Sequence, residues 1–403
     1  MPNGSTIAVE PTLAVRSAAT PFFRRGRFLW PFAAALACVV AGLAALAPAG
    51  HLLLPFQPTE VLQGRMASKG DYFEDPEVKR LLMGHHLQVN VTRMGSHDAA
   101  VLDTADADLV FTSGEASGNQ LIDRRQQAQP PQFAKAYYPF TSFVVLATYR
   151  EYAETLSSRG IATPQGGADG SLYYTLHLDK FLPALEAPDN TWNDLGLGRF
   201  GLSNGNRVVA HTPNICSANS AATYLGMLAY MKNGREVVTA DGAEALARTI
   251  QPLVRSQGLP TADLFQPYLT LEGKSSAPVV VIYEHQFLSY QLHQKETTGE
   301  VDRSRVLLYP DPSFLVHPQL IALNSKADGL ARLVATDPAL RNRALEMGFR
   351  QLAPDAATKV EPLEGYLQSK GVQVPEFDSR TRGSLPDPLI LEKMIDVAGS
   401  CRR

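Results

Sequence analysis

Residues 28–56, FLWPFAAALACVVAGLAALAPAGHLLLPF, contain no Asp, Glu, Lys or Arg. A bilayer crossing takes roughly 20 apolar residues, so this run is read as a transmembrane anchor. Arg16, Arg24, Arg25 and Arg27 precede it, and the first charge after it is Glu60. The positive-inside rule then makes residues 1–27 a cytoplasmic tail and puts everything after Gln57 on the outer side of the plasma (inner) membrane. Competing signals are present. Ala47-Pro48-Ala49 before Gly50 has the form of a signal-peptidase site. Leu36-Ala37-Cys38 has a faint lipoprotein look, but Cys38 is followed by a long apolar continuation. Arg24-Arg25 hints at a twin-arginine signal whose spacing Gly26-Arg27 breaks. An uncleaved single-pass anchor with a periplasmic or extracellular body is the expectation.

The chain of 403 residues carries a net charge of -3, so no basic face advertises nucleic acid. Three cysteines are present. Cys38 lies in the anchor, whereas Cys216 and Cys401 would face an oxidising compartment that permits a disulfide. Nothing in the sequence brings those two together, and two unpaired thiols is the simpler reading.

From Glu60 onward short apolar stretches alternate with helical periodicity, the pattern of an α/β protein. Strands are expected at residues 87–92, 108–111, 140–148, 279–283, 306–309 and 320–323. Helices are expected at 75–83, with Asp75-Pro76 as start signal, and at 178–185, 243–257 and 327–347. Residues 353–403 read as a Pro-rich tail, wrapped on the body or partly disordered, with a helical stretch at 389–397.

The segment 207–234, RVVAHTPNICSANSAATYLGMLAYMKNG, is the most informative for function. Residues 207–210 have the β-branched content of a short strand. Residues 211–219 form a polar loop, and Ser217, Ala218 and Asn219 can cap the helix that follows. Such a helix start offers free backbone N–H groups to a small anion or polar oxygen. Ser68-Lys69-Gly70, Gly95-Ser96 and Thr112-Ser113-Gly114 repeat the same chemistry. Loops of this kind cluster at the carboxyl ends of strands, where open α/β sheets bind ligands.

Several segments recur in a set order. A Ser-Lys-Gly loop leads to Phe73-Glu74-Asp75-Pro76-Glu77-Val78, Gly95-Ser96 and Asp108-Leu109-Val110-Phe111. A Pro-Phe-Thr-Ser strand, Trp192-Asn193-Asp194-Leu195-Gly196 and the loop at 211–219 come next. Tyr283-Glu284-His285-Gln286, Leu307-Leu308-Tyr309-Pro310 and Pro318-Gln319-Leu320-Ile321-Ala322-Leu323 close the series. Over residues 59–352 this order resembles the solute-binding proteins of ABC transporters with the type II periplasmic fold. Phosphate, sulfate and molybdate receptors and their membrane-anchored relatives are the nearest likeness.

The resemblance implies two α/β lobes joined by two crossover strands at 140–146 and 305–309. Lobe one would be residues 60–143 plus 306–352, lobe two 144–305, and 353–403 a C-terminal extension. It implies a solute contacted by Ser68, Lys69, Ser96, Ser113, Thr141, Thr212, Asn214, Ser217 and Tyr283, with hinge closure around it. The expected partners are a small polar or anionic solute, an ABC permease or other membrane-complex protein, and the membrane itself. No cofactor, metal or nucleic acid is expected. The sequence departs from the family where Thr212 precedes Pro213 and no Gly follows in Asn214–Asn219. A loop without Gly holds its backbone further from an oxyanion, which tells against a tetrahedral oxyanion but not against the fold. A second reading keeps the fold but makes the chain a non-transport binding or sensing module in a membrane-surface assembly.

An enzyme is not expected. Gly114-Glu115-Ala116-Ser117-Gly118 places its Ser one residue too late for a nucleophile elbow. Tyr268 stands where a P-loop ending in Gly273-Lys274-Ser275 needs its first Gly. Neither Cys-x-x-Cys nor His-Glu-x-x-His occurs. His85, His86 and His97 read as solvated, Glu284-His285 as a hinge-side hydrogen bond, and Asp103, Asp106 and Asp108 as strand-edge solvation.

Overall fold

The computed structural model describes residues 26–46, 58–66, 68–167, 170–261, 263–351, 362–376 and 382–401. Met1–Gln57 and Pro58–Arg403 are separate units. In the first, a helix spans Gly26–Leu46 with Pro31 inside it. Among the described residues no helix is long and apolar enough to cross a membrane. Most of the expected cytoplasmic tail and the second part of the expected anchor lie outside the described residues.

The strands of the second unit are β1 (Glu60–Met66), β2 (Leu87–Arg93), β3 (Leu109–Thr112), β4 (Lys135–Tyr137), β5 (Ser142–Tyr149), β6 (Ala162–Pro164), β7 (Tyr173–His177), β8 (Val279–Tyr283), β9 (Arg305–Asp311), β10 (Leu315–Val316) and β11 (Gln319–Ala322). They form two sheets. The first has the order β2-β1-β3-β11-β4, with β1 parallel to both neighbours and β11 antiparallel to β3 and β4. The second has the order β10-β5-β9-β7-β6, and β8 also pairs with β5. Every residue of β5 and β8 is buried, so these strands read as continuous apolar runs rather than alternating ones.

Each sheet has its own core. Leu62, Phe73, Val78, Phe111, Leu320, Leu330 and Phe349 pack on one face of the first sheet, and Ala99, Val110, Leu121 and Ile321 on the other. The second sheet organises a larger cluster around Val144, Leu146, Trp192, Leu225, Val281 and Leu307. Two apolar bodies within one chain leave a polar seam between them, which is where the loops of both sheets meet.

The sequence expectations need four corrections. β9 pairs with β5 and β7 in the second sheet, so residues 306–311 do not belong with the first. The chain returns to the first sheet between β10 and β11, not at 305–309. Residues 207–210 make only an isolated bridge from Arg207 to Thr191, and the segment meets β8 one residue later, where His211 bridges Val280. The helix expected at 327–347 is two, Ser325–Thr336 and Pro338–Glu346. Pro338 cannot continue the first helix, and Asp337 ends one and caps the other by accepting from the Leu340 N–H.

The fourth concerns the C-terminal extension. Leu363, Leu367 and Val372 join the core of the second sheet. Helix Pro388–Gly399 packs against Ala240–Gln257 and Asn219–Lys232 of the second half and Glu115–Gln127 of the first. Cys401 is disulfide-bonded to Cys216, so the two thiols expected to be unpaired are joined. Stretches 352–361 and 377–381 lie outside the described residues.

Candidate functional site

At the seam, Ser68, Ser96 and Ser113 from the first half face Pro213, Ala218, Asn219, Ser220 and Tyr283 from the second around a chamber of ≈ 20 Å³, closed on one side by Asp263 and Gln286. Each serine follows a strand of the first sheet, and the second wall is the start of two long helices, Asn219–Lys232 and Glu284–Thr298. The N-cap of the Asn219 helix is Ala218 and that of helix Glu115–Gln127 is Gly114. Neither offers a side chain to its helix's first N–H groups, which leaves those donors open.

The halves touch closely here. The His97 N–H donates to the Ser217 carbonyl at 3.2 Å. A Cβ on Gly95 would lie 2.2 Å from that same carbonyl oxygen, and one on Gly114 would lie 2.5 Å from Asn219 Nδ2. The 211–219 loop contains no Gly because the glycines that permit the approach stand on the opposite wall.

Lys69 is fully buried behind Ser68. Its Nζ lies 3.3 Å from Ser68 Oγ, 3.8 Å from the centre of the Tyr283 ring and 6.0 Å from that of Phe349. Burial pulls the amine down to about 7, while the charges of Asp71 and Asp263 hold it up from a distance. Burial also pushes the Tyr283 phenol up, against the pull of Asn219 and Ser113. Asn219 Nδ2 donates to the Tyr283 hydroxyl at 3.1 Å. Ser113 Oγ lies near that hydroxyl without a well-formed hydrogen bond, while its own N–H donates to Ser96 Oγ at 3.0 Å.

Asp263 and Gln286 also line a second, larger chamber of ≈ 440 Å³. Its wall includes Asp71, Arg93, Phe265, Leu269, His285, Tyr290, His293, Met347 and Phe349. Arg93 pairs with both Asp71 and Glu74. The buried His285 ring stacks on Phe349, with centroids 4.2 Å apart. Neither of its ring nitrogens has a hydrogen-bond partner. Burial, and then the Lys69 charge, push its pKa well down, so the ring is neutral.

Behind the chambers a buried ion pair spans the seam. Arg350 Nε donates to Glu284 Oε2 at 2.6 Å, and the Tyr309 hydroxyl donates to Glu284 Oε1 at 2.7 Å. Thr141 bridges to Arg350 through its backbone.

The nine residues expected at the site therefore divide. Ser68, Ser96, Ser113 and Tyr283 line the small chamber, and Lys69 lies directly behind it. Thr141 lies away from the chamber, bridged to Arg350. Thr212 is held by main-chain bonds to Gln257 and Leu259. Asn214 is exposed and its side chain accepts from the Cys216 N–H, while Ser217 Oγ turns back to the Asn214 carbonyl. The loop lines the chamber through Pro213 and Ala218–Ser220 instead. Asn219, Ser220, Asp263, His285 and Gln286 were not in the expected set. The helix start at Asn219 and the Tyr283-Glu284-His285-Gln286 run were visible signals for four of them, but Asp263 sits in an irregular loop without one. Among the described residues no group of three or more His, Cys, Asp or Glu could hold a metal ion.

The chain matches no family model and no curated protein. Solved structures similar to it include the sulfate-binding protein SubI from Mycobacterium tuberculosis H37Rv. That pair is 16% identical, with 74% of this chain and 88% of that chain covered and a TM-score of 0.42. Iron-bound HitA from Pseudomonas aeruginosa is 10% identical, with 84% and 98% covered and a TM-score of 0.47. The periplasmic binding protein AfuA from Actinobacillus pleuropneumoniae, with fructose-6-phosphate bound, is 10% identical, with 83% and 96% covered and a TM-score of 0.46.

Proposed function

We propose that this chain is an extracytoplasmic solute-binding protein of the type II periplasmic kind, holding a small polar or anionic solute between its two sheets and carrying out no catalysis. One observation carries the reading. Hydroxyls of Ser68, Ser96 and Ser113 from one half converge with the starts of two long helices from the other, beside a buried lysine. The open N–H groups at the start of the Asn219 helix and a buried amine favour negative charge or polar oxygen. Ser68, Lys69, Ser96, Ser113, Asn219, Ser220 and Tyr283 are the proposed contacts. Thr141 is proposed to act at the hinge, and Thr212, Asn214 and Ser217 to shape the loop.

The charge-free run at 28–56 supports a single-pass anchor that holds the body outside the membrane, where it would serve an ABC-type permease. A second reading, a sensing or assembly module on the same fold, is favoured by the C-terminal helix that packs on helices of both halves and by its disulfide, which restrict opening.

Heating the detergent-solubilised full chain with a panel of small anions, sugars and amino acids tests the first reading. A solute at about a hundred times its dissociation constant raises stability by about 2.7 kcal/mol. No response to any member of the panel would defeat a receptor role and leave the assembly reading.

A further inference from the structure

We infer that the solute is a carboxylate zwitterion, an amino-acid-like molecule whose carboxylate enters the small chamber and whose ammonium group meets Asp263 at the junction with the larger one. This rests on the solute-binding reading above and adds the ligand class.

Size comes first. A chamber of ≈ 20 Å³ holds little more than one water. A space of that size has no room for a whole tetrahedral oxyanion and takes only the oxygen end of a larger molecule, such as a carboxylate entering edge-on. The larger chamber, ≈ 440 Å³, shares Asp263 and Gln286 with it, so the two adjoin at those side chains.

Charge comes second. Asp263 Oδ1 accepts only from neutral donors, Gln286 Nε2 at 3.1 Å and the Phe265 N–H at 3.0 Å. Lys69 contacts a hydroxyl and two ring faces. Asp263 thus stands at the junction and Lys69 behind Ser68 of the small chamber, each without a counter-charge in contact among the described residues. Asp71, by contrast, is already satisfied by Arg93. A bare oxyanion would be repelled by Asp263, whereas a zwitterion answers both groups.

His285 is the independent sign of a ligand. It is 3% exposed, lines the larger chamber and leaves both ring nitrogens unpartnered. A buried polar group without a partner is costly, and a neutral imidazole can accept from an ammonium without opposing its charge. The other titratable groups facing this space are Asp71, Arg93, Tyr290 and His293. Phe265, Leu269 and Phe349 give an apolar wall for the rest of the molecule.

The test is calorimetric titration of the full chain with the common L-amino acids, each paired with its des-amino acid, alongside sulfate and phosphate. We expect at least one amino acid to bind, with its des-amino partner at least about tenfold weaker. Asp263→Asn should erase that ratio, and Asp263→Ser provides a second variant should the first fold poorly. Lys69→Met should weaken both members of the pair. Binding of sulfate or phosphate with no amino acid bound would overturn the inference and leave the solute-binding reading standing. An unchanged ratio in both Asp263 variants would also overturn it. Silence from every solute here would overturn the inference, and silence from the sugars of the thermal panel as well would remove the reading with it.

Discussion

Lys69 shows how one side chain couples the site to stability. Its amine titrates at about 7 in the folded chain against 10.5 when unperturbed. The lowered value means that the unfolded chain binds more protons between those limits, so Lys69 makes stability rise with pH from about 7 to about 10.5. Below that window the charge is buried and its cost is fully present. We expect Lys69→Met to raise the melting temperature most near pH 6 and least above pH 10, with a gain of a few kcal/mol at the acid end. A pH-independent difference between the two proteins would refute this. The serines of the first half were legible because each sits at a fixed place, directly after a strand. The lobe-two contacts were less so, because main-chain bonds from Thr212 to Gln257 and Leu259 pin the loop and pass its contact on to Asn219 and Ser220. Asp263 was illegible for a different reason, since an irregular loop has no period to read.

Among elements, the seam depends on one buried pair and one missing side chain. Removing one partner of a buried ion pair leaves the other charge uncompensated, at a cost of about 3–5 kcal/mol. Arg350→Met should lower the unfolding free energy measured in urea by that amount, and adding Glu284→Gln should recover part of it. A loss below about 1 kcal/mol would mean that the Tyr309 hydroxyl alone satisfies Glu284. Gly95 has ordinary backbone angles, so its role is space. Gly95→Ala pushes a methyl into the Ser217 carbonyl, and overpacking of this kind costs about 1–3 kcal/mol. The variant should also bind its solute more weakly and give a larger radius in solution scattering; an unchanged radius would count against closure at this contact. Strand positions were readable where a short continuous apolar run stood out, as at β8. The assignment of β9 was not, because which sheet a strand joins is decided by partners distant in sequence.

At the scale of the molecule, the chain crosses between the two sheets more than the two-lobe expectation allows. It passes over before β5, returns between β10 and β11, and crosses again to place Leu363 and Leu367 in the second core. The last crossing changes the mechanics. Helix Pro388–Gly399 rests on helices of both halves, Glu392 reaches His97 at 3.3 Å, and the disulfide fixes the helix end to the loop that borders the small chamber. Two lobes on a free hinge open by rotation, but a helix seated on both must slide or detach first. The disulfide closes a loop with a sequence separation of 185, and a native crosslink of that kind contributes about 2–4 kcal/mol. We therefore expect the Cys216→Ser/Cys401→Ser double variant to lose about that much stability. Hydrogen exchange should increase in the C-terminal helix and along the 95–97 and 212–219 contact together. If exchange rises in the helix alone, the extension is a cover for the second core and the hinge moves independently of it.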